Sequence, residues 1–298
     1  MRRRSRFSGR GREGVFVMMP LLRNNLFQRV VVAFAGIPVL LWINRMGGLF
    51  FLALVLLLSL VAIFEFRRLA EHRAHPPALS LLLLLTALIQ LNFYFRVFAY
   101  WEAFLVTVML LFVLELYRKE GSQLLNLGVT LVGLLYVNLT FGALLRLRMI
   151  GDGKAHAVAA EGTGEALVLL MFVCVWATDI LAYFGGRTFG GKFIRRKLFE
   201  RLSPHKTWEG FFSGIAGSMT AALLCASLLP YCPSDMAMMT GLLAGVTSPA
   251  GDLMESMFKR DAGVKDASGL IPGHGGVLDR FDTIMFIAPM IYFLAAYR

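Results

Sequence analysis

The residues best equipped for chemistry lie near the C-terminus, in Gly251-Asp-Leu-Met-Glu-Ser-Met-Phe-Lys-Arg260, Asp261-Ala-Gly-Val-Lys-Asp266 and Pro272-Gly-His-Gly-Gly-Val-Leu-Asp-Arg-Phe-Asp282. If Asp252 to Lys259 is helical, Asp252, Ser256 and Lys259 share one face at i, i+4 and i+7, while Asp279 and Asp282, at i and i+3, share another. Carboxylates from two helices that meet at a glycine-rich loop make a hard oxygen site, the kind that holds magnesium together with substrate phosphates. The ordinary alternative pairs these acids with Arg260, Lys265 and Arg280 as solvated salt bridges. It suits Asp261 but leaves unexplained why so many glycines and acids stand between two apolar runs. His274 sits between glycines that open space around it, so phosphate contact or proton handling stands beside an inert role.

A second polar block comes earlier. Gly185-Gly-Arg-Thr-Phe-Gly-Gly-Lys192 is followed by Arg195, Arg196, Lys197 and Ser203-Pro-His-Lys-Thr-Trp-Glu-Gly210. Gly186 to Lys192 spells the G-x-x-x-x-G-K of a phosphate loop, but Phe193 stands where a Ser or Thr would hold magnesium, and an apolar helix precedes it in place of a strand. A nucleotide-hydrolysing phosphate loop is therefore rejected. What survives is a set of flexible glycines exposing backbone N–H groups beside seven cations, a surface suited to phosphates, including Arg187, Lys192, Ser203, Lys206 and Thr207. The same charges also serve as a topology signal and a contact for anionic lipid. Upstream, Asp179 falls inside an apolar run, where a carboxylate costs about 2.5 to 3.5 kcal/mol on insertion scales. It should face a cavity, an ion or a partner, unless it reaches water from the helix end; Tyr183, at i+4, shares its face.

These residues must be positioned by membrane helices. Of 298 residues 57% are hydrophobic and 16% charged, against about 25% charged in soluble proteins. That composition argues against a soluble enzyme, and it excludes a disordered chain, a collagen-like repeat and a disulfide scaffold. Cys174, Cys225 and Cys232 form no metal spacing and read as packing residues. Nine apolar runs emerge: Val30 to Ile43, Met46 to Phe64, Ala78 to Phe95, Ala103 to Leu116, Leu124 to Leu145, Ala166 to Gly185, Phe211 to Leu229, Met236 to Pro249 and Thr283 to Tyr297. Only Asn44 and Arg45 separate the first two. Counting Lys and Arg in alternate connections with the N-terminus inside puts 24 of 30 on one side, which orients the chain with that side cytoplasmic and fits the net charge of +11. The arginine-rich leader reads as a disordered tail, since only Val15 to Leu22 follows as an apolar stretch and a signal peptide is disfavoured. The acceptor motif Asn138-Leu-Thr140 lies inside a run and reads as buried. The expected organisation is an all-α polytopic bundle of about nine transmembrane helices: a tail over 1–28, N-terminal helices over 29–165 and a catalytic region over 166–298.

Ser256-Met-Phe-Lys-Arg260, Lys265-Asp266, Pro272-Gly-His-Gly-Gly276 and Asp279-Arg-Phe-Asp282 resemble the signature of the phosphatidate cytidylyltransferases, the CDP-diacylglycerol synthases, over 27 residues without a gap. The blocks between Asp179 and Gly210 are similar to the same family, so the resemblance covers roughly Ala166 to the end. The stretch between Lys192 and Ser203 is longer than the family's pattern, and the arginine-rich leader is foreign to it.

The resemblance implies transfer of CMP from CTP to phosphatidic acid, with release of pyrophosphate, at the cytoplasmic face of a bacterial inner membrane. It implies magnesium on Asp252 and Asp279, with Asp282 and Asp179 as further ligands, and leaves room for a second cation and a homodimer. Lys206, Ser203 and Thr207 would then hold the triphosphate, with Arg187, Lys192 and Lys265 as further substrate contacts. Lys259, Arg260 and Arg280 would neutralise the lipid phosphate or the leaving group, and His274 would act beside them. Nucleic acid is not an expected partner. Two rivals remain open: a CTP-dependent polyprenol or phytol kinase, which would move the γ-phosphoryl group, and an anionic-solute transporter, which would place its polar residues at the bilayer midplane.

Overall fold

The computed structural model describes residues 25–152, 161–228, 232–270 and 275–297, with side chains of the first helix described from residue 34. Backbone N–H and C=O groups have no water to bond in hydrocarbon, so apolar runs close those bonds within helices. Among the described residues each of the nine runs corresponds to a helix: α1 (Asn25–Met46), α2 (Gly48–Ala70), α3 (Leu79–Phe95), α4 (Tyr100–Leu116), α5 (Gln123–Arg148), α6 (Thr163–Phe189), α7 (Trp208–Leu228), α8 (Ser234–Asp261) and α9 (Leu278–Ala296). The protein is a helical membrane protein. By length and composition α2, α5, α6 and α7 can each cross a bilayer, with mean hydropathies of 2.8, 1.8, 2.2 and 1.6. The narrow break between the first two runs is real. Gly47 (φ 61°) and Gly48 (φ 50°) take consecutive positive φ values, which glycine tolerates without a Cβ clash.

Helices α6 to α9 pack in sequence, α6 on α7, α7 on α8 and α8 on α9, and α9 then packs back on α5 and α2. The core along this seam includes Phe141, Leu145, Leu167, Met171, Met285 and Ile287. Cys174 and Cys232 are buried in it and Cys225 is half-buried, all three free thiols. Asn138 is buried too, its Nδ2 donating to Leu134 O at 3.0 Å and to Thr86 Oγ1 at 3.4 Å.

Two expectations change. The all-α description omits a short antiparallel ribbon, β1 (Lys197–Phe199) and β2 (Ser203–Thr207), which pairs Lys197 with Thr207 and Phe199 with Ser203. It forms within the stretch between Lys192 and Trp208. Gly185, Gly186 and Arg187, read as part of a flexible loop, are helical and belong to α6. Their local reason is packing: a Cβ on Gly186 would lie 3.2 Å from Thr207 Oγ1, and one on the facing Gly210 would lie 2.8 Å from Ala182 O. The arginine-rich leader up to residue 24 and His274 lie outside the described residues.

Candidate active site

The site forms at one end of the bundle, where α6 and α8 finish and α7 and α9 begin. Gly251 sets its geometry. A Cβ there would lie 2.7 Å from Asp282 O and 2.8 Å from Thr283 Cα, so only a hydrogen lets the backbones of α8 and α9 approach this closely. The contact brings Asp252 to Asp282. With Glu255 they offer three carboxylate oxygens, all within 4.8 Å of one another. Glu255 is i+3 from Asp252 on α8 and 2% exposed, with Oε2 paired to Lys259 and Oε1 buried without a hydrogen-bond partner. An all-oxygen set with an unsatisfied buried acceptor fits a hard divalent cation such as magnesium.

Asp252 also forms one wall of a cleft of about 560 Å³, whose other polar walls carry Asp179, Tyr183, Arg187, His205, Lys206 and Thr207. Lys206 Nζ lies 2.5 Å from Asp252 Oδ2 and donates to Pro249 O at 3.4 Å. Arg187 Nη1 donates to Tyr183 Oη at 3.0 Å. Thr207 caps α7: its Oγ1 accepts the Gly210 N–H at 3.2 Å.

Two carboxylates do work that the sequence did not announce. Glu209 Oε1 accepts the N–H groups of Gly191, Phe193 and Ile194 at 3.1, 3.1 and 2.8 Å. The backbone donors expected to cradle phosphate after Gly190 therefore turn inward to a fixed anion. Glu65 of α2, 0% exposed, accepts from Ser268 Oγ at 2.5 Å, Val277 N at 3.0 Å and Leu278 N at 2.8 Å. A side chain from the part of the sequence that read as generic apolar helix thus anchors the loop leading into α9. Spacing gives no hint of Glu65, whereas the i, i+3 relation to Asp252 could have found Glu255.

The model of the cytidylyltransferase family matches residues 27–298. The chain belongs to the cytidylyltransferase family. It is 34% identical over 291 residues to a protein of Synechocystis sp. named phosphatidate cytidylyltransferase, covering 89% of this chain and 95% of that one. Proteins of the same name from Brucella melitensis and Bacillus subtilis are 32% and 30% identical, over 92% and 90% of this chain and 94% and 97% of theirs.

In this cytidylyltransferase the expected residues divide into groups. Asp179, Arg187, Lys206, Thr207 and Asp252 line the cleft, and Asp282 joins Asp252 beside it. Asp279 does not join that trio. Its Oδ1 lies 2.6 Å from Lys259 Nζ, and its Oδ2 accepts from Gly276 N at 2.8 Å and Ala267 N at 3.1 Å. Of the two acids expected to share magnesium, Asp252 lies beside Asp282 and Glu255, while Asp279 reaches Lys259 and the loop entering α9. Lys259, expected to meet the lipid phosphate, is held between Glu255 and Asp279. Ser203 pairs within the ribbon, and Lys192 is exposed over the Phe189 ring. Arg260, Lys265 and Arg280 are exposed outside the cleft walls, with Arg260 Nη1 donating to Val264 O at 3.3 Å.

Proposed function

We propose that the protein transfers the CMP moiety of CTP to phosphatidate, giving CDP-diacylglycerol and pyrophosphate. The observation that carries this reading is the double position of Asp252, in the carboxylate trio and in the wall of a cleft holding Lys206 and Arg187. Acids that gather a metal beside cations that gather phosphates suit a reaction between two polyanions. Family membership, and the name shared by relatives along nearly their whole length, support the substrate pair.

Asp252, Glu255 and Asp282 would hold magnesium, the orphaned Glu255 Oε1 being the acceptor most in need of it. When bound, the ion supplies positive charge to phosphate oxygens and helps to orient them. Lys206 and Arg187 bind and screen the triphosphate from the facing wall. Asp179, on α6, is the remaining acid available to a second cation. Lys259 and Asp279 act on shape, locking α8 to the start of α9. A non-bridging oxygen of the lipid phosphate attacks the α-phosphorus of CTP in line. A new P–O bond forms as the bond to the bridging oxygen of the β-phosphate breaks, and pyrophosphate leaves with that electron pair. The chain's residues position and neutralise, and none becomes covalently attached.

In this reading all nine helices cross the inner membrane of a bacterium, with the N-terminus and the cleft on the cytoplasmic side. The concentration of 24 of 30 basic residues in alternate connections supports that orientation.

The test is incubation of purified protein with phosphatidate, magnesium and CTP labelled either at the α- or at the γ-phosphate. Label from the α-position in the lipid, with pyrophosphate released, is the expected result. Lipid label from the γ-position with CDP released would replace this reading by a kinase.

A further inference from the structure

Beside the polar cleft lies a groove of about 360 Å³ whose walls are apolar, among them Phe199 of the ribbon, Trp208 of α7, and Val246, Leu253, Met254 and Met257 of α8. Leu198, Phe211 and Pro249 line both hollows, so cleft and groove meet along a common wall. Pro249 belongs to that wall and, through its carbonyl, to the setting of Lys206. The groove is open to the outside of the bundle: Phe199, Val246 and Met257 are 51%, 45% and 41% exposed. Lys197 and Arg201, both exposed, flank the apolar residues of the ribbon.

We infer that this groove seats an acyl chain of the lipid substrate while the lipid phosphate occupies the cleft. The inference rests on the transfer reaction proposed above. An amphiphile whose phosphate enters the cleft beside the triphosphate held by Lys206 has its glycerol at the cleft wall, and the apolar surface that begins there is the groove. The flanking cations match an anionic headgroup arriving from a membrane surface. Moving an acyl chain from lipid to an apolar protein surface gains little free energy, because lipid tails are as apolar as the groove. The groove therefore acts by shape, guiding and selecting chains. Met254 and Met257, unbranched and flexible, suit a surface that must accept varied chain conformations.

The experiment narrows the groove at two independent places in the full-length protein, with Val246→Trp and Met257→Trp. Both residues are about half exposed, so the added ring can enter the groove without overpacking the core. CMP transfer is measured in mixed micelles with dihexanoyl and with dipalmitoyl phosphatidate. The expected result in at least one variant is unchanged turnover of the short lipid and a KM for the long lipid raised about tenfold, in the range given by steric exclusion from an apolar pocket. Equal loss for both lipids, an unaltered chain preference in both variants, or an altered oligomeric mass showing that a second copy covers the groove would overturn the inference. Wild-type turnover of the short lipid checks the underlying reaction separately. Failure there removes the proposed function, whereas turnover without a chain-length shift removes only the groove.

Discussion

Two carboxylate regions stand at the same end of the bundle and differ in how fully their oxygens are met. Around the loop entering α9, Glu65 and Asp279 have both oxygens engaged: three donors meet the first, and two N–H groups and an ammonium meet the second. Across the contact of α8 with α9, Asp252, Glu255 and Asp282 crowd together; Lys206, Lys259 and the Thr283 N–H meet one oxygen of each, and Glu255 Oε1 is left over. A buried carboxylate that receives every hydrogen bond it can use fixes local shape, and breaking one such bond leaves an expensive orphan. Like charges with spare lone pairs are stable together only when a cation or proton joins them. The contrast sets residues that hold the loop in place against the residues proposed to hold a ligand.

The sharpest way to break that contrast is Asp252→Asn. It should lower CMP transfer by about two to three orders of magnitude, comparable to removing a charge-stabilising group from other active sites. The thermal midpoint in detergent should stay near wild type. Normal turnover in radiolabelled CTP assays would place Asp252 with the structural acids.

Glu65→Gln should do the reverse, because an amide oxygen replaces a charged acceptor that serves three donors. The expected cost is about 1.5 to 3 kcal/mol of local stability. It would be read as faster hydrogen exchange at Val277 and Leu278, with turnover falling alongside and Glu65→Asp restoring part of it. Unchanged exchange would show that the loop is held by Asp279 alone.

Gly251→Ala probes the seam between the two regions. A methyl pressed against the backbone of α9 should cost about 1 to 3 kcal/mol by overpacking and raise the magnesium concentration needed for half-maximal activity. A shift in thermal midpoint without a shift in metal requirement would mean that the trio does not depend on this close approach. Smallest of all, Ser268→Ala removes one of three donors to Glu65. It should lower stability by about 0.5 to 1.5 kcal/mol with activity in the transfer assay close to wild type.

Much of the fold was legible because hydrocarbon forces a simple code. Each apolar run became a helix, including the pair divided only at Asn44 and Arg45. The second run, however, ended at Phe64, one residue before the carboxylate that anchors the loop entering α9. Nothing in the sequence singled out Glu65, because its partners lie more than 200 residues away. The glycines near Gly186 read as a flexible phosphate cradle for a related reason. Pattern alone does not distinguish a glycine needed for a turn from one needed for close helix contact. Asp279 was singled out by its place in a motif, which gives order along the chain and not the side-chain partners it meets at Lys259, Gly276 and Ala267.

Composition and spacing by themselves determined that the chain is a membrane helix bundle and where along it acids, cations and glycines suited to phosphates gather. Those properties follow from local energetics: burial of apolar runs, the cost of charge in hydrocarbon, and the donor types a polyanion needs. Only the tertiary arrangement decided which carboxylates face one another and which face backbone donors. That choice depends on how closely α8 can approach α9 at Gly251, and on α2 bringing Glu65 to a loop it never meets in sequence.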